Sequence, residues 1–154
     1  MDESIKVDNP AVYVRQTRDE TCWAASMAML VNFRDGSSYT DLDICRQVGL
    51  PEDGATVQQV QQAMDHLGLH LVAPSCYTPD GWIDLLRSHP VGVIVPGGGI
   101  WHRIVIAGVE TDGTPESTSI HILDPARGES WTPYAEAEAN YEAGAPRSNN
   151  IFTY

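Results

Sequence analysis

The chain has 154 residues, 42% of them hydrophobic, and a formal net charge of −12 from 21 acidic and 9 basic side chains. This length suits a single domain over 1–154, with 1–10 read as a tail, and such a chain buries roughly two thirds of its unfolded surface. The acidic balance argues against nucleic acid and anionic membranes as partners, and the longest apolar run, 22–31, falls short of the ~20 residues of a membrane span.

After the tail, Ala11-Val12-Tyr13-Val14 reads as a short strand leading to Gln16. A helix over 22–33 is apolar on every side, which marks it as buried, and Asp35-Gly36-Ser37-Ser38 ends it. Thr40 caps a helix over 41–48 closed by Gly49. Thr56 caps another over 57–67, whose apolar positions Val57, Val60, Met64 and Leu67 fall on one face, with Gly68 after it and a solvated glutamine-rich face opposite. Residues 69–73 read as a strand, and Thr78-Pro79 opens a fourth helix with proline in the first turn. Strands follow over 91–95, 100–109 and 118–124, joined by a turn at 96–99 and a hairpin at Thr111-Asp112-Gly113-Thr114. Residues 131–141 favour a short helix around Ala135–Ala139, and 151–154 a last strand. Helices first and an antiparallel sheet second define an α+β chain.

The chemistry concentrates at Cys22. The polar run Arg18-Asp19-Glu20-Thr21 precedes it, so the first turn of this otherwise buried helix faces solvent or a cleft. Unpaired N–H groups and the helix dipole favour a thiolate there, and a nearby imidazolium favours it further. An acyl-transfer nucleophile needs donors for the oxyanion. The Cys22 N–H supplies one, and the Gln16 amide, six residues upstream, supplies another. Cys45 and Cys76 lack this setting, and the three cysteines imply neither a disulfide framework nor a zinc site. The Gly97-Gly98-Gly99 run lacks the following helix and Lys-Ser/Thr of a phosphate loop. Asp19 and Glu20 read by default as a solvated turn.

Gln16, five residues, then Cys22-Trp23-Ala24-Ala25 resembles the active-site segment of papain-like cysteine proteases. Within them it is most similar to the small bacterial branch of AvrRpt2-like effector peptidases and, more distantly, the bacteriocin-processing C39 peptidases. The resemblance takes in Trp101-His102-Arg103-Ile104-Val105 and Ile122-Leu123-Asp124-Pro125, in the order Gln, Cys, His, Asp. It implies a papain-like peptidase fold, with N-terminal helices packed on a C-terminal antiparallel sheet. It also implies Cys22 as nucleophile, His102 as base, Asp124 as the group orienting His102, and Gln16 in the oxyanion hole. Trp101 and Trp23 are the candidate substrate contacts.

His66, His70 and His89 lack a suitable setting for the base. His121 is the rival, but strand alternation points it away from Asp124. Such an enzyme needs no metal or organic cofactor, and its partner is a protein or peptide substrate. The acidic N-terminus is not a Sec signal. The chain is therefore expected in a reducing cytoplasm when made. The resemblance implies Sec-independent delivery as a bacterial effector or toxin, with a cognate inhibitor or immunity protein. Two other readings use the same residues: an amidase, deamidase or transglutaminase-like acyl transfer, and a catalytically silent binding module.

Overall fold

The computed structural model describes residues 4–52, 55–72, 78–97, 100–137 and 151–154. Helix α1, Cys22–Asp35, has every residue from Cys22 to Val31 buried. Helices α2 (Asp41–Val48) and α3 (Val57–Leu67) start at capping boxes, in which Thr40 and Thr56 exchange side-chain and backbone bonds with Asp43 and Gln59. Helix α4, Pro79–Leu86, has Thr78 accepting the Gly81 N–H. A fifth, short helix, α5, spans Tyr134–Ala137.

The described strands are β1 (Ile5–Asp8), β2 (His70–Leu71), β3 (Val91–Gly97), β4 (Ile100–Thr111), β5 (Ser119–Asp124), β6 (Gly128–Pro133) and β7 (Ile151–Thr153). They form one antiparallel sheet in the order β2-β7-β3-β4-β5-β6, with β1 also paired to β4. Strand β4 is the spine. One of its edges is covered by β3 over 100–106 and by β1 over 108–111, and the other by β5.

Alternation splits the sheet between two cores. Val105, Ala107, Leu123 and Phe152 pack against α1, α2 and α3. Ile104, Ile106, Ile120 and Ile122 pack against α4 and α5 on the other side. The α+β expectation holds, and the sheet carries helices on both faces.

Several local expectations are corrected. Residues 5–8 of the expected tail are a sheet strand, with Val7 opposite Val109. The Asn9 amide fixes the strand's end by donating to Leu86 O at 2.9 Å and Ala107 O at 2.8 Å. Gly108 allows the approach, because a side chain there would run into Val7 and Asp8. Residues 11–14 form no strand, since β4 has no edge left for them. Trp131 lies in β6, and helix begins only at Tyr134. Pro96 and Gly97 extend β3 rather than turning, while Gly98 and Gly99 lie outside the described residues. The strand expected over 69–73 is limited to His70 and Leu71, with Ala73 outside the described residues. Among the described residues, no helix is long and apolar enough to cross a membrane.

Gly92 lies against the Phe152 ring, where a methyl group would overlap ring carbons. Gly92→Ala is expected to destabilise the fold by ~1–3 kcal/mol through overpacking. In thermal unfolding this is a fall of about 2–4 °C per kcal/mol for a chain of this size.

Candidate active site

Cys22 is the first residue of α1, buried at 6% exposure. The helix starts without a side-chain cap, because the Thr21 hydroxyl is turned away and donates to buried Asp41 at 2.7 Å. Its first-turn N–H groups thus keep their positive field for the sulfur. Ser26, one turn on, donates its hydroxyl to Arg103 O at 3.0 Å and ties α1 to β4.

His102 and Asp124 meet through register. In an antiparallel pair the start of β4 and the end of β5 lie at the same end of the sheet. Val105 pairs with Leu123, so one further step places Asp124 opposite Ile104, with His102 as its diagonal neighbour on the same face. His102 Nε2 lies 2.7 Å from Asp124 Oδ1. That oxygen also accepts the N–H groups of Ala126 at 2.9 Å and Arg127 at 3.2 Å in the turn after Pro125. The second nitrogen of the ring remains for Cys22, whose sulfur acts on the charge of the ring.

Burial opposes all three charges, and their partners override it. Burial would raise the Cys22 thiol, but the His102 hydrogen bond, the Arg103 N–H and the charges of His102 and Arg103 bring it below the ordinary thiol value. Burial would lower His102, but hydrogen bonds to Asp124 and Cys22, and their negative charges, raise it to about 9. Burial would raise Asp124, but His102 and the two turn N–H groups hold it low. Cys45 shows the opposite outcome. Burial, then the charges of Asp41 and Glu52, push its thiol up to about 11.

Gln16 sits in the turn before α1. Its amide nitrogen donates to Arg18 O at 2.9 Å and Asp19 O at 3.0 Å, and its oxygen is buried without a partner. Both amide protons are therefore engaged inside the turn, and a role in an oxyanion hole requires one to swing free. The segment before Gln16 is strapped to the Asp124 turn. The Tyr13 hydroxyl donates to Asp124 O at 2.6 Å, and the Gln16 N–H to Pro125 O at 3.0 Å.

Asp41 is the residue that sequence reasoning missed. It is fully buried at the start of α2 and accepts the Thr17 N–H at 2.6 Å, the Thr17 hydroxyl at 3.0 Å, the Thr21 hydroxyl at 2.7 Å and the Leu42 N–H at 2.9 Å. In sequence it looks like an ordinary acidic first-turn residue. Its signal is spatial, since the partners lie about 20 residues upstream.

Trp23 is a correction. It is buried in the α1 core at 2% exposure, so its side chain is no cleft contact, as a helix apolar on all sides demands. The Trp101 side chain and Cys76 lie outside the described residues. His121 turns away from Asp124, as alternation requires, and bonds Asp8 at 2.7 Å and Glu129 at 2.6 Å. Among the described residues, no group of three or more His, Cys, Asp or Glu side chains is placed to hold a metal ion.

The family model described as papain-like cysteine protease AvrRpt2 matches residues 3–140. No curated protein sequence matches the chain. Among solved structures, a double-glycine-motif protease from an AMS/PCAT transporter, crystallised with its leader peptide, is similar at 19% identity and TM-score 0.62, covering 97% of this chain and 96% of its own. The peptidase domain of Streptococcus ComA, a bifunctional ABC transporter, is similar at 19% identity and TM-score 0.62, covering 91% and 93%. A C39-like peptidase structure from Bacillus anthracis is similar at 15% identity and TM-score 0.64, covering 97% and 98%. At these identities the structures show the shared fold, that of papain-like peptidases.

Asp41→Ala is expected to strand the Thr17 and Thr21 donors, at about 1–3 kcal/mol for each buried group left unsatisfied. Urea unfolding reads that loss. The alkylation rate of Cys22 in the folded variant is expected to fall several-fold, because the freed Thr21 hydroxyl can then cap the helix.

Proposed function

The chain belongs to the family of papain-like cysteine proteases described by AvrRpt2, and from that premise we propose that it cleaves peptide bonds of a protein or peptide substrate with Cys22 as nucleophile, His102 as acid–base and Asp124 as the orienting carboxylate. The observation that carries this reading is the placement of His102, held by Asp124 Oδ1 at 2.7 Å, beside the Cys22 thiol whose pKa it lowers.

In this mechanism the Cys22 thiolate attacks the scissile carbonyl carbon and forms a C–S bond. The carbonyl electron pair moves to oxygen, which is held by the Cys22 N–H and a swung-out Gln16 amide. The tetrahedral intermediate collapses, the C–N bond breaks, and the His102 imidazolium gives its proton to the leaving amine. Neutral His102 then takes a proton from water, whose oxygen attacks the thioester. Collapse releases the acid and returns Cys22 as thiolate beside imidazolium. Asp124 holds one His102 nitrogen throughout, so the other keeps facing sulfur. A structural neighbour was captured with a leader peptide, and an extended peptide is the substrate form we infer here.

Cys22→Ala is expected to abolish hydrolysis of labelled casein, and undiminished cleavage would sink the reading. Gln16→Ala is expected to lower kcat about 10²–10³-fold, the scale of one lost oxyanion donor.

The pH dependence follows from the two shifts. Iodoacetamide should alkylate Cys22 below the ordinary thiol pKa of ~8.5, while Cys45, raised to about 11, stays unmodified. The rate of hydrolysis should fall above about pH 9 as His102 loses the proton the leaving amine needs. Because the folded His102 pKa is raised, its stabilisation is complete below the unfolded value of ~6.5 and is lost as pH rises through about 9.

A further inference from the structure

Residues 9–17, between β1 and the turn before α1, form neither helix nor strand. Their place is set by bonds to distant segments, and three of these fall within 13–17. The Tyr13 hydroxyl donates to the Asp124 carbonyl oxygen at 2.6 Å, the Gln16 N–H to Pro125 O at 3.0 Å, and the Thr17 N–H to the Asp41 carboxylate at 2.6 Å. The Tyr13 ring is half-buried and packs against the α1 core. Its hydroxyl therefore joins the packing of the Cys22 helix to the backbone of the residue that holds His102.

Asp124 needs a hold from outside the sheet. It is the last residue of β5, and the pairing of β5 with β4 ends one residue earlier, at Val105 and Leu123. On its other side Asp124 pairs with Gly128, across its own turn. Its carboxylate is tied to that turn. Oδ1 accepts the Ala126 N–H at 2.9 Å and the Arg127 N–H at 3.2 Å while lying 2.7 Å from His102 Nε2. Carboxylate and turn backbone thus move together. Tyr13 grips that backbone at the Asp124 carbonyl, and the Gln16 N–H repeats the hold one residue on, at Pro125.

We propose that Tyr13 is a positioning residue for the hydrolysis: its hydroxyl clamps the backbone of Asp124 and thereby holds the Asp124 carboxylate on His102. An orienting group must keep its partner within about 0.5 Å of the productive geometry, and such groups depend on the bonds that lock them in turn. The ring, seated against the α1 core, supplies the fixed end of the clamp, and the hydroxyl supplies the grip. The carboxylate that orients the imidazole is in this way referenced to the helix that carries the thiol. Tyr13 touches none of the reacting atoms and acts through Asp124. The proposal rests on the reading of Cys22, His102 and Asp124 as the catalytic set.

The test is the titration of the His102 imidazole, followed by NMR in the full chain, which needs no substrate. The ionisable groups acting on that ring are Asp124 from β5 and Cys22 from α1. Tyr13→Phe keeps the ring and its packing and removes only the hydroxyl. It is expected to bring the titration down from about 9 by about half to one pH unit, a roughly 3–10-fold fall in proton affinity on the scale of one lost hydrogen bond. The same factor is expected in kcat for labelled casein, with KM unchanged. In an Asp124→Ala background no carboxylate remains to be positioned, and Tyr13→Phe is expected to leave the His102 titration where Asp124→Ala alone puts it. Superimposable wild-type and Tyr13→Phe titrations would overturn the proposal. An equal shift in both backgrounds would also overturn it, because it would mark a packing role. Casein cleavage that survives Cys22→Ala would remove the catalytic reading itself, a result distinct from any of these curves.

Discussion

Everything in this molecule is arranged around the burial of α1 on all sides. Each large apolar side chain removed from water contributes ~1.5–3 kcal/mol, and α1 buries Trp23, Met27, Met29 and Leu30 almost completely. The first turn of this helix is where unpaired N–H groups and positive dipole lie. The packing that stabilises the fold therefore also buries a polarised helix start against β4, with a thiol on its first residue.

Such an end is usually neutralised by a cap, and α2, α3 and α4 all have one. At α1 the capping hydroxyl of Thr21 is diverted to Asp41. The buried carboxyl satisfies itself with donors from the Gln16–Thr21 turn and in doing so fixes that turn's shape. Helix α2 thus supplies no reacting group yet sets the geometry of the stretch that carries Gln16 and Cys22.

The electrostatics follow one rule throughout. Burial disfavours every ion, and the outcome depends on whether an opposite charge is close enough to reverse it. Cys22 has His102 and Arg103 beside it and is lowered, whereas Cys45 has Asp41 and Glu52 nearby and is raised. Burial pushes both thiols up, and the sign of their neighbours reverses that at Cys22 and adds to it at Cys45. The sheet register supplies those neighbours, since β4 carries His102 and Arg103 and the end of β5 carries Asp124.

The sequence by itself determined what depends on local chemistry. Capping threonines and terminal glycines set the bounds of α2 and α3, Thr78-Pro79 set the start of α4, and all-round apolarity marked α1 as buried. The proximity of His102 and Asp124 was legible from strand pairing, and alternation alone turned His121 away from Asp124. What only the tertiary structure decided are pairings between distant segments. Residues 5–8 become a strand because β4 has an open edge beyond β3, and 11–14 do not because none is left. Trp23 becomes core because the sheet and α2 enclose its helix. Asp41 acquires its role from partners brought to it by folding, a matter of which groups are buried together that no local pattern encodes.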